Sequence, residues 1–156
     1  RKSTPTDLVT DADRECDAFL RGHLASLFPN DGQLTEETYE DGQAERLLGV
    51  DLGARDALGA WVLDPIDGTT NFAHGFPHFA ISLAFVQGGR PSVAIVLDPS
   101  RNELFTAVRG GGAHLNGHPI RSSATHALGE ALLATGFPYD ATTRPRDNMG
   151  YFLKMM

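Results

Sequence analysis

The chain has 156 residues, 41% of them hydrophobic and 21% charged, with a formal net charge of −7. These values are typical of one soluble globular domain, and the acidic balance argues against a nucleic-acid backbone as the main partner. No apolar run approaches the roughly 20 residues of a membrane-spanning helix, and no secretory signal is visible. The single cysteine, Cys16, excludes an internal disulfide, so we expect a cytoplasmic protein without a membrane partner.

The N-terminal part predicts an extended segment followed by a helix. Residues Lys2 to Val9 are polar and include a proline, whereas Thr10 and Asp13 form a capping-box pattern at a helix start. On local sequence alone Asp13 is either a helix cap or a functional carboxylate, and the cap is favoured. Helical spacing predicts a buried face made of Cys16, Phe19, Leu20, Leu24, Leu27 and Phe28.

A short strand is predicted at Gln33 to Thr35, immediately before the acidic pair Glu36 and Glu37. Adjacent carboxylates normally point apart into solvent, so this pair alone does not indicate a site. The following segment, Glu40 to Ala60, is rich in glycine and acidic residues, and it predicts a loop or a short helix near Ala44–Leu48.

The sequence from 61 to 72, WVLDPIDGTTNF, carries the strongest chemical signal in the chain. Trp61 to Leu63 predicts a buried strand that ends at Asp64, because the proline that follows restricts the preceding backbone. Two carboxylates, Asp64 and Asp67, are therefore expected to converge at a strand end. Carboxylate oxygens are the ligands that hard divalent cations prefer.

Next to these carboxylates, Gly68 permits a close approach to the backbone, and Thr69 and Thr70 are N-cap candidates for a short helix. A helix N-terminus suits a phosphate, so the combination indicates metal-assisted phosphate chemistry. The alternative is an ordinary turn followed by a cap, since Asp-Pro and Asp-Gly are common turn dipeptides.

The remainder predicts a β-meander of Phe79–Val86, Ser92–Leu97 and Glu103–Val108, followed by a hairpin with Asn116-Gly117 at its turn. The triple glycine at 110–112 lacks the Lys-Ser/Thr of a P-loop and is interpreted as structural.

Two further elements are predicted near the C-terminus, a strand at Ala131–Thr135 and a helix at Arg144–Met156. His74 and His78 have the spacing of a metal-binding helix, but a glycine and a proline between them predict loop residues instead.

Four segments together resemble the inositol monophosphatase family of magnesium-dependent, lithium-sensitive phosphatases. The signature is Asp64–Phe72, and the flanking matches are Lys2–Asp13, Glu36-Glu37 and Ala134–Asp140, in the order that the family has them. The family usually has glycine where this chain has Thr35. The resemblance implies an α+β fold, a layered α/β sandwich of the inositol monophosphatase or fructose-1,6-bisphosphatase type, with an antiparallel sheet flanked by helices.

Family members are longer and carry a later Trp-Asp-x-Ala motif that these 156 residues do not contain. We therefore expect an N-terminal metal-binding α+β domain over 1–129 and the start of a C-terminal α/β domain, truncated, over 130–156. By itself this stretch is expected to bind one metal ion and to turn over very slowly.

The resemblance also implies two or three Mg²⁺ ions and their ligands. Glu36, Asp64 and the carbonyl of Ile66 would hold the first, Asp64 and Asp67 the second, and Glu36 with Asp13 through water the third. Li⁺ is the inhibitor expected for such a site.

For the reaction, the resemblance implies that Thr69, with Asp13 or Glu36 as proton acceptor, orients an attacking water activated by the metal. The N–H groups of Gly68 and Thr69 would bind the phosphate. The residues implied at the substrate are Glu36, Ile66, Asp67, Gly68 and Thr69.

The expected function is hydrolysis of a small phosphate monoester, with inositol monophosphate as the default substrate, by a homodimer. Histidinol phosphate, fructose 1,6-bisphosphate and 3′-phosphoadenosine nucleotides are the alternatives within this class. A different class is a non-catalytic binding protein of the bacterial transcription machinery.

Overall fold

The protein is described by a computed structural model over residues 10–38, 59–136 and 149–155. Backbone contacts divide the chain into two units, of which the first spans 9–121 and contains every candidate site residue. The second unit contains the described residues 122–136 and 149–155. The boundary expected at 129/130 stays a prediction.

The first unit is a helix, a seven-stranded sheet and a short second helix. In chain order its elements are α1 (Asp11–Leu27), β1 (Gly32–Thr35), a 3₁₀ turn (Glu36–Thr38), β2 (Ala60–Asp67), α2 (Thr69–Ala73), β3 (Ala80–Gln87), β4 (Arg90–Asp98), β5 (Glu103–Val108), β6 (Gly112–Leu115) and β7 (His118–Ile120). The second unit has a 3₁₀ turn at Leu128–Glu130 and the helix α3 at Met149–Met155.

The strands lie in the sheet in their sequence order, and every pair except the first is antiparallel. The expected α+β class, the largely antiparallel sheet and the meander of β3 to β5 are confirmed. The strand β1 runs parallel to β2. A parallel pair requires a long connection, which the residues between β1 and β2 provide.

The register of this parallel pair brings the end of β1 level with Leu63 of β2. Thr35 pairs with Leu63, so Glu36, which follows β1, lies next to Asp64, which is still part of β2 and pairs with Ser82 on β3. Two contacts at the other end fix the alignment. The Gly32 N–H donates to the Gly59 carbonyl at 3.0 Å. The Trp61 Nε1–H donates to Asp31 Oδ2 at 3.1 Å.

The core lies between α1 and the sheet, with Trp61 at its centre. The Trp61 ring lies 5.0 Å from that of Phe28, which follows α1, and 4.9 Å from that of Phe85 on β3. Offset and tilted ring pairs at such distances stabilise a core beyond the area they bury.

The helix α1 begins as expected, with Thr10 as N-cap and a complete capping box, but of its predicted apolar face only Leu24 is buried. Phe19 is 63% exposed and Leu27 is 69% exposed, whereas the buried residues are Asp13, Asp17 and Leu24. The hydrogen bond from Thr69 to the Asp13 carboxylate holds the acidic side of α1 against the rest of the unit. The helix therefore does not turn Phe19 and Leu27 inward.

The signature stretch differs from its prediction in two ways. The strand β2 continues beyond Asp64 to Asp67, with an irregular register between them, since the proline after Asp64 has no N–H for the ladder. The N-cap of α2 is Gly68, at φ +96°, and neither Thr69 nor Thr70. A left-handed N-cap without a side-chain bond favours glycine.

The hairpin turn is confirmed, with Asn116 at φ 48° and Gly117 at φ 81° between β6 and β7, as a type I′ turn requires. His74 and His78 lie outside helices, as predicted. The strand predicted at Ala131–Thr135 is wrong, because these residues pair with no strand within the described ranges.

Three predicted segments lie partly or wholly outside the described residues. They are the extended segment Lys2–Val9, the loop or short helix within Glu40–Ala60, and the part of the last helix before Met149. Across the described ranges, no helix combines the length and apolar character that crossing a bilayer requires.

Two leucines of α1 provide a matched test of which face is buried. Leu24 is 7% exposed and Leu27 is 69% exposed. We expect Leu24→Ala to lower the free energy of unfolding by about 2–3 kcal/mol, and Leu27→Ala by less than about 0.5 kcal/mol. Urea unfolding followed by far-UV circular dichroism measures both, and equal losses would contradict the observed rotation of α1.

Candidate metal and phosphate site

The predicted site residues come from three neighbouring elements of the first unit. Asp13 lies in the first turn of α1, Glu36 follows β1, and Asp64 to Asp67 form the end of β2. Gly68 and Thr69 continue directly into α2. Ligand sites commonly form at the carboxyl ends of parallel strands, which is where Glu36 and Asp64 lie.

The carboxyl groups of Asp64 and Glu36 are hydrogen-bonded to each other. Burial, the negative charge of Glu36 and that of Asp67 raise the pKa of Asp64 to about 7. A proton held between two carboxylates relieves their repulsion. The fold therefore forces negative charges together at the end of β2.

One carboxylate oxygen of Asp64 has no hydrogen-bond partner in the protein. Asp64 Oδ1 is buried and has no hydrogen-bond partner, which is a costly state for a carboxylate oxygen. With the neighbouring Glu36 oxygens it forms a hard, all-oxygen donor set, which suits Mg²⁺. The residues present therefore fit a divalent cation.

The geometry stops short of a complete cage. Among the side chains that the structure describes, no group of three or more His, Cys, Asp or Glu is arranged to hold a metal ion. Asp67 contributes negative charge at Asp64 but is itself exposed, and it borders an open cavity of about 310 Å³.

Thr69 lies between a carboxylate and a backbone carbonyl. Its Oγ1 is 3.2 Å from Asp13 Oδ1 and 3.0 Å from the Ile66 carbonyl oxygen. Asp13 is 1% exposed and Thr69 is 9% exposed, so water has little access to this contact. Asp13 thus serves as part of the helix cap and also accepts from Thr69, while its role as a functional carboxylate stays a prediction.

Gly68 is where the backbone approaches another segment most closely within the site. A Cβ added there would lie 3.0 Å from the His78 carbonyl oxygen and 3.3 Å from the Phe79 Cα. The same carbonyl accepts a hydrogen bond of 2.7 Å from Asn71 Nδ2, which ties α2 to the segment before β3. The close approach at Gly68 and the hydrogen bond from Asn71 therefore both hold the turn after Asp67 against the His78–Phe79 segment.

Sequence reasoning missed one contact that locates the signature turn. The Cys16 thiol donates to the Pro65 carbonyl at 3.4 Å, and Pro65 is among the most deeply buried residues. Burial, followed by the charges of Asp13 and Asp17, raises the pKa of this thiol. Cys16 is thus a protonated packing contact between α1 and β2, and helical spacing alone placed it only on an apolar face.

Comparison with known proteins shows which family has this architecture. The model of the inositol monophosphatase family matches residues 1–155. The chain belongs to this family. Its curated relatives include the protein named Nus factor SuhB of Escherichia coli strain K12, which is 44% identical over 135 residues covering 86% of this chain and 46% of that protein.

A second relative is an inositol-1-monophosphatase of Rhizobium meliloti, 42% identical over 135 residues covering 86% of this chain and 47% of that protein. Among solved structures, an inositol monophosphatase from Anabaena matches with a TM-score of 0.80 and 36% identity, covering 94% of this chain and 54% of that chain. This member of the family spans about half the length of the curated relatives it matches.

The raised pKa of Asp64 gives a test of the carboxylate cluster in metal-free protein. Glu36→Gln removes the nearest negative charge, so the pKa of Asp64 should fall from about 7 toward, but not to, its ordinary value of 3.8, because burial remains. Titration of the Asp64 carboxyl carbon by NMR measures this, with the exposed Glu15→Gln as control.

The same pKa shift determines how the stability of the folded protein changes with pH. The folded-state pKa lies above the unfolded one, so the folded state binds the proton more tightly, and stability falls as pH rises from about 4 to about 7. Glu36→Gln should reduce this fall. An Asp64 pKa that does not move in Glu36→Gln would contradict the contact between these carboxyls.

Proposed function

We propose that the protein to which this chain belongs hydrolyses a small phosphate monoester with Mg²⁺ as cofactor. One observation carries the proposal: the family signature holds Asp64 beside Glu36 at the ends of two parallel strands, with the Thr69–Asp13 contact alongside. Closely spaced acidic oxygens beside a hydroxyl–carboxylate pair suit metal-assisted transfer of a phosphoryl group to water.

Four groups are proposed to hold Mg²⁺. Glu36, Asp64 and the Ile66 carbonyl would hold the first ion, Asp64 and Asp67 would hold the second, and Glu36, with Asp13 through water, would hold a third. When bound, Mg²⁺ lowers the pKa of a coordinated water and neutralises charge that builds on the leaving oxygen. The buried, unpartnered Asp64 Oδ1 and the strong repulsion among these acids support this assignment.

The role of the chain itself in the step is to place one water and receive its proton. Thr69 Oγ1 accepts a hydrogen bond from the water while donating its own proton toward Asp13 Oδ1, 3.2 Å away. The water oxygen forms the new bond to phosphorus and the bond to the leaving alkoxide breaks. The proton of the water passes through Thr69 to Asp13, and the alkoxide takes a proton from solvent.

The phosphate is proposed to lie against the turn between β2 and α2. There the N–H groups of Gly68 and Thr69 would bind its oxygens, beside the proposed metal ligands Glu36, Ile66 and Asp67. The left-handed backbone of Gly68 supports this placement, since a side chain there would strain the turn.

For the substrate, we infer inositol monophosphate as the first choice. The family and the relative named inositol-1-monophosphatase support it. Histidinol phosphate, fructose 1,6-bisphosphate and 3′-phosphoadenosine nucleotides complete the test panel. We further propose inhibition by Li⁺, a homodimer, and a reducing, cytoplasmic setting that keeps Cys16 as a thiol.

A second candidate function is supported by a name among the relatives. A protein called Nus factor SuhB is 44% identical to this chain, so a role as a binding partner in the transcription machinery is the alternative. Such a role does not require the carboxylate cluster, whereas hydrolysis does. The two functions are therefore separable by one substitution.

Asp64→Asn in the full-length protein tests the enzyme proposal. It keeps the shape of the side chain and removes the charge, so phosphate release with Mg²⁺ should fall by about 10²-fold or more. The matched control is Asp11→Asn on α1, whose side chain is 92% exposed. Released phosphate is measured across the substrate panel, with and without LiCl.

If the wild-type protein releases no phosphate from any member of the panel, or if Asp64→Asn retains full activity, the proposal fails. Loss of hydrolysis with retained binding to transcription factors would show that both functions coexist.

A further inference from the structure

The N-cap of α1 makes two contacts to a single oxygen of Asp13. The Thr10 hydroxyl donates to Asp13 Oδ2 at 2.5 Å, and the Thr10 backbone N–H donates to the same oxygen at 2.8 Å. The reciprocal cap contact, from the Asp13 N–H to Thr10 Oγ1, is longer at 3.3 Å.

These contacts divide the two carboxylate oxygens of Asp13 between two partners. Oδ2 is occupied by Thr10, and Oδ1 is the oxygen that faces Thr69 at 3.2 Å. At 1% exposure the carboxylate has almost no water with which to exchange these partners. The rotation of the Asp13 side chain, and hence the position of Oδ1, therefore depends on Thr10.

The position of Oδ1 matters because two acceptors compete for one proton. Thr69 has a single hydroxyl hydrogen, and both Asp13 Oδ1 and the Ile66 carbonyl lie within its reach. A carboxylate accepts more strongly than a neutral carbonyl. With Oδ1 in place, Thr69 donates to Asp13, and the Ile66 carbonyl keeps its lone pairs for a cation.

We propose that Thr10 is a positioning residue for the hydrolytic step, acting through Asp13 on the direction of the Thr69 hydroxyl. The inference rests on the proposed function for its kinetic consequence, but the positional claim stands on the contacts alone. An ordinary N-cap requires only that the Thr10 side chain accept from the Asp13 N–H, and it does not require the short donation to Oδ2.

Three substitutions at Thr10 separate positioning from capping. Thr10→Ser keeps the cap and the hydroxyl donor. Thr10→Gly keeps a good N-cap and the backbone N–H contact with Asp13 Oδ2, but loses the hydroxyl donor. Thr10→Val keeps the shape and the backbone contact, but loses the side-chain cap and the hydroxyl donor. The variants are compared in the full-length protein by urea unfolding, by kcat and KM with inositol 1-phosphate and Mg²⁺, and by crystal structures.

The expected result is a kcat lower by about 10- to 100-fold in Thr10→Gly and Thr10→Val, with KM within about twofold and with Thr10→Ser close to wild type. Thr10→Gly should remain nearly as stable as wild type. Its crystal structure should show the Asp13 side chain rotated and the contact between Asp13 Oδ1 and Thr69 Oγ1, 3.2 Å in the wild type, lost.

A purely capping role predicts the opposite pattern, in which Thr10→Gly keeps its kcat and only Thr10→Val loses both stability and activity. That outcome, or an unchanged Asp13–Thr69 contact in the Thr10→Gly structure, overturns the proposal. If the wild-type protein hydrolyses no phosphate monoester, the proposed function fails, and the crystal structures alone still decide whether Thr10 positions Asp13.

Discussion

The parallel pairing of β1 with β2 is the constraint on which the candidate site depends. Because Thr35 is level with Leu63, the residue that follows each of them is an acid, so Glu36 at the end of β1 lies beside Asp64 within β2. An antiparallel pairing of the same strands would place these carboxyl ends at opposite edges of the sheet. The contacts of Gly32 and Trp61 at the far end of the pair hold this register.

Bringing these carboxylates together is electrostatically unfavourable, and favourable packing elsewhere in the fold offsets this. Glu36 and Asp67 both oppose ionisation of Asp64, and burial adds to their effect. Hydrophobic contacts of Trp61 with Phe28 and Phe85 stabilise the strands beneath the acids. A proton relieves the repulsion in the metal-free protein, and a divalent cation would relieve it more completely. Functional sites commonly keep local strain that packing elsewhere offsets.

Local sequence predicted the features that depend on neighbouring residues in the chain. The capping box at Thr10, the hairpin at Asn116-Gly117 and the strand at Glu103–Val108 all follow from short-range patterns, and the structure has them. The family resemblance supplied the site residues, which remain a proposal, although Glu36 and Asp64 are in contact. It also supplied the α+β class, which the related folds confirm.

Features that depend on distant contacts were not predictable in this way. Helical spacing placed Phe19 and Leu27 in the core, but contacts of α1 with β2 and α2 turned the acidic residues inward instead. The left-handed N-cap at Gly68 depends on how closely the segment at His78 approaches. Apolar composition suggested a strand at Ala131–Thr135, yet a strand forms only where another can pair with it.

The most direct test of the central claim is to locate a cation in the crystal. Crystals of the chain soaked in MnCl₂ and measured at the manganese absorption edge would show where a divalent ion binds. The account predicts an anomalous peak within coordination distance of the carboxylates of Glu36 and Asp64. A peak elsewhere, or none at millimolar Mn²⁺ with both acids hydrogen-bonded to each other as before, would contradict it.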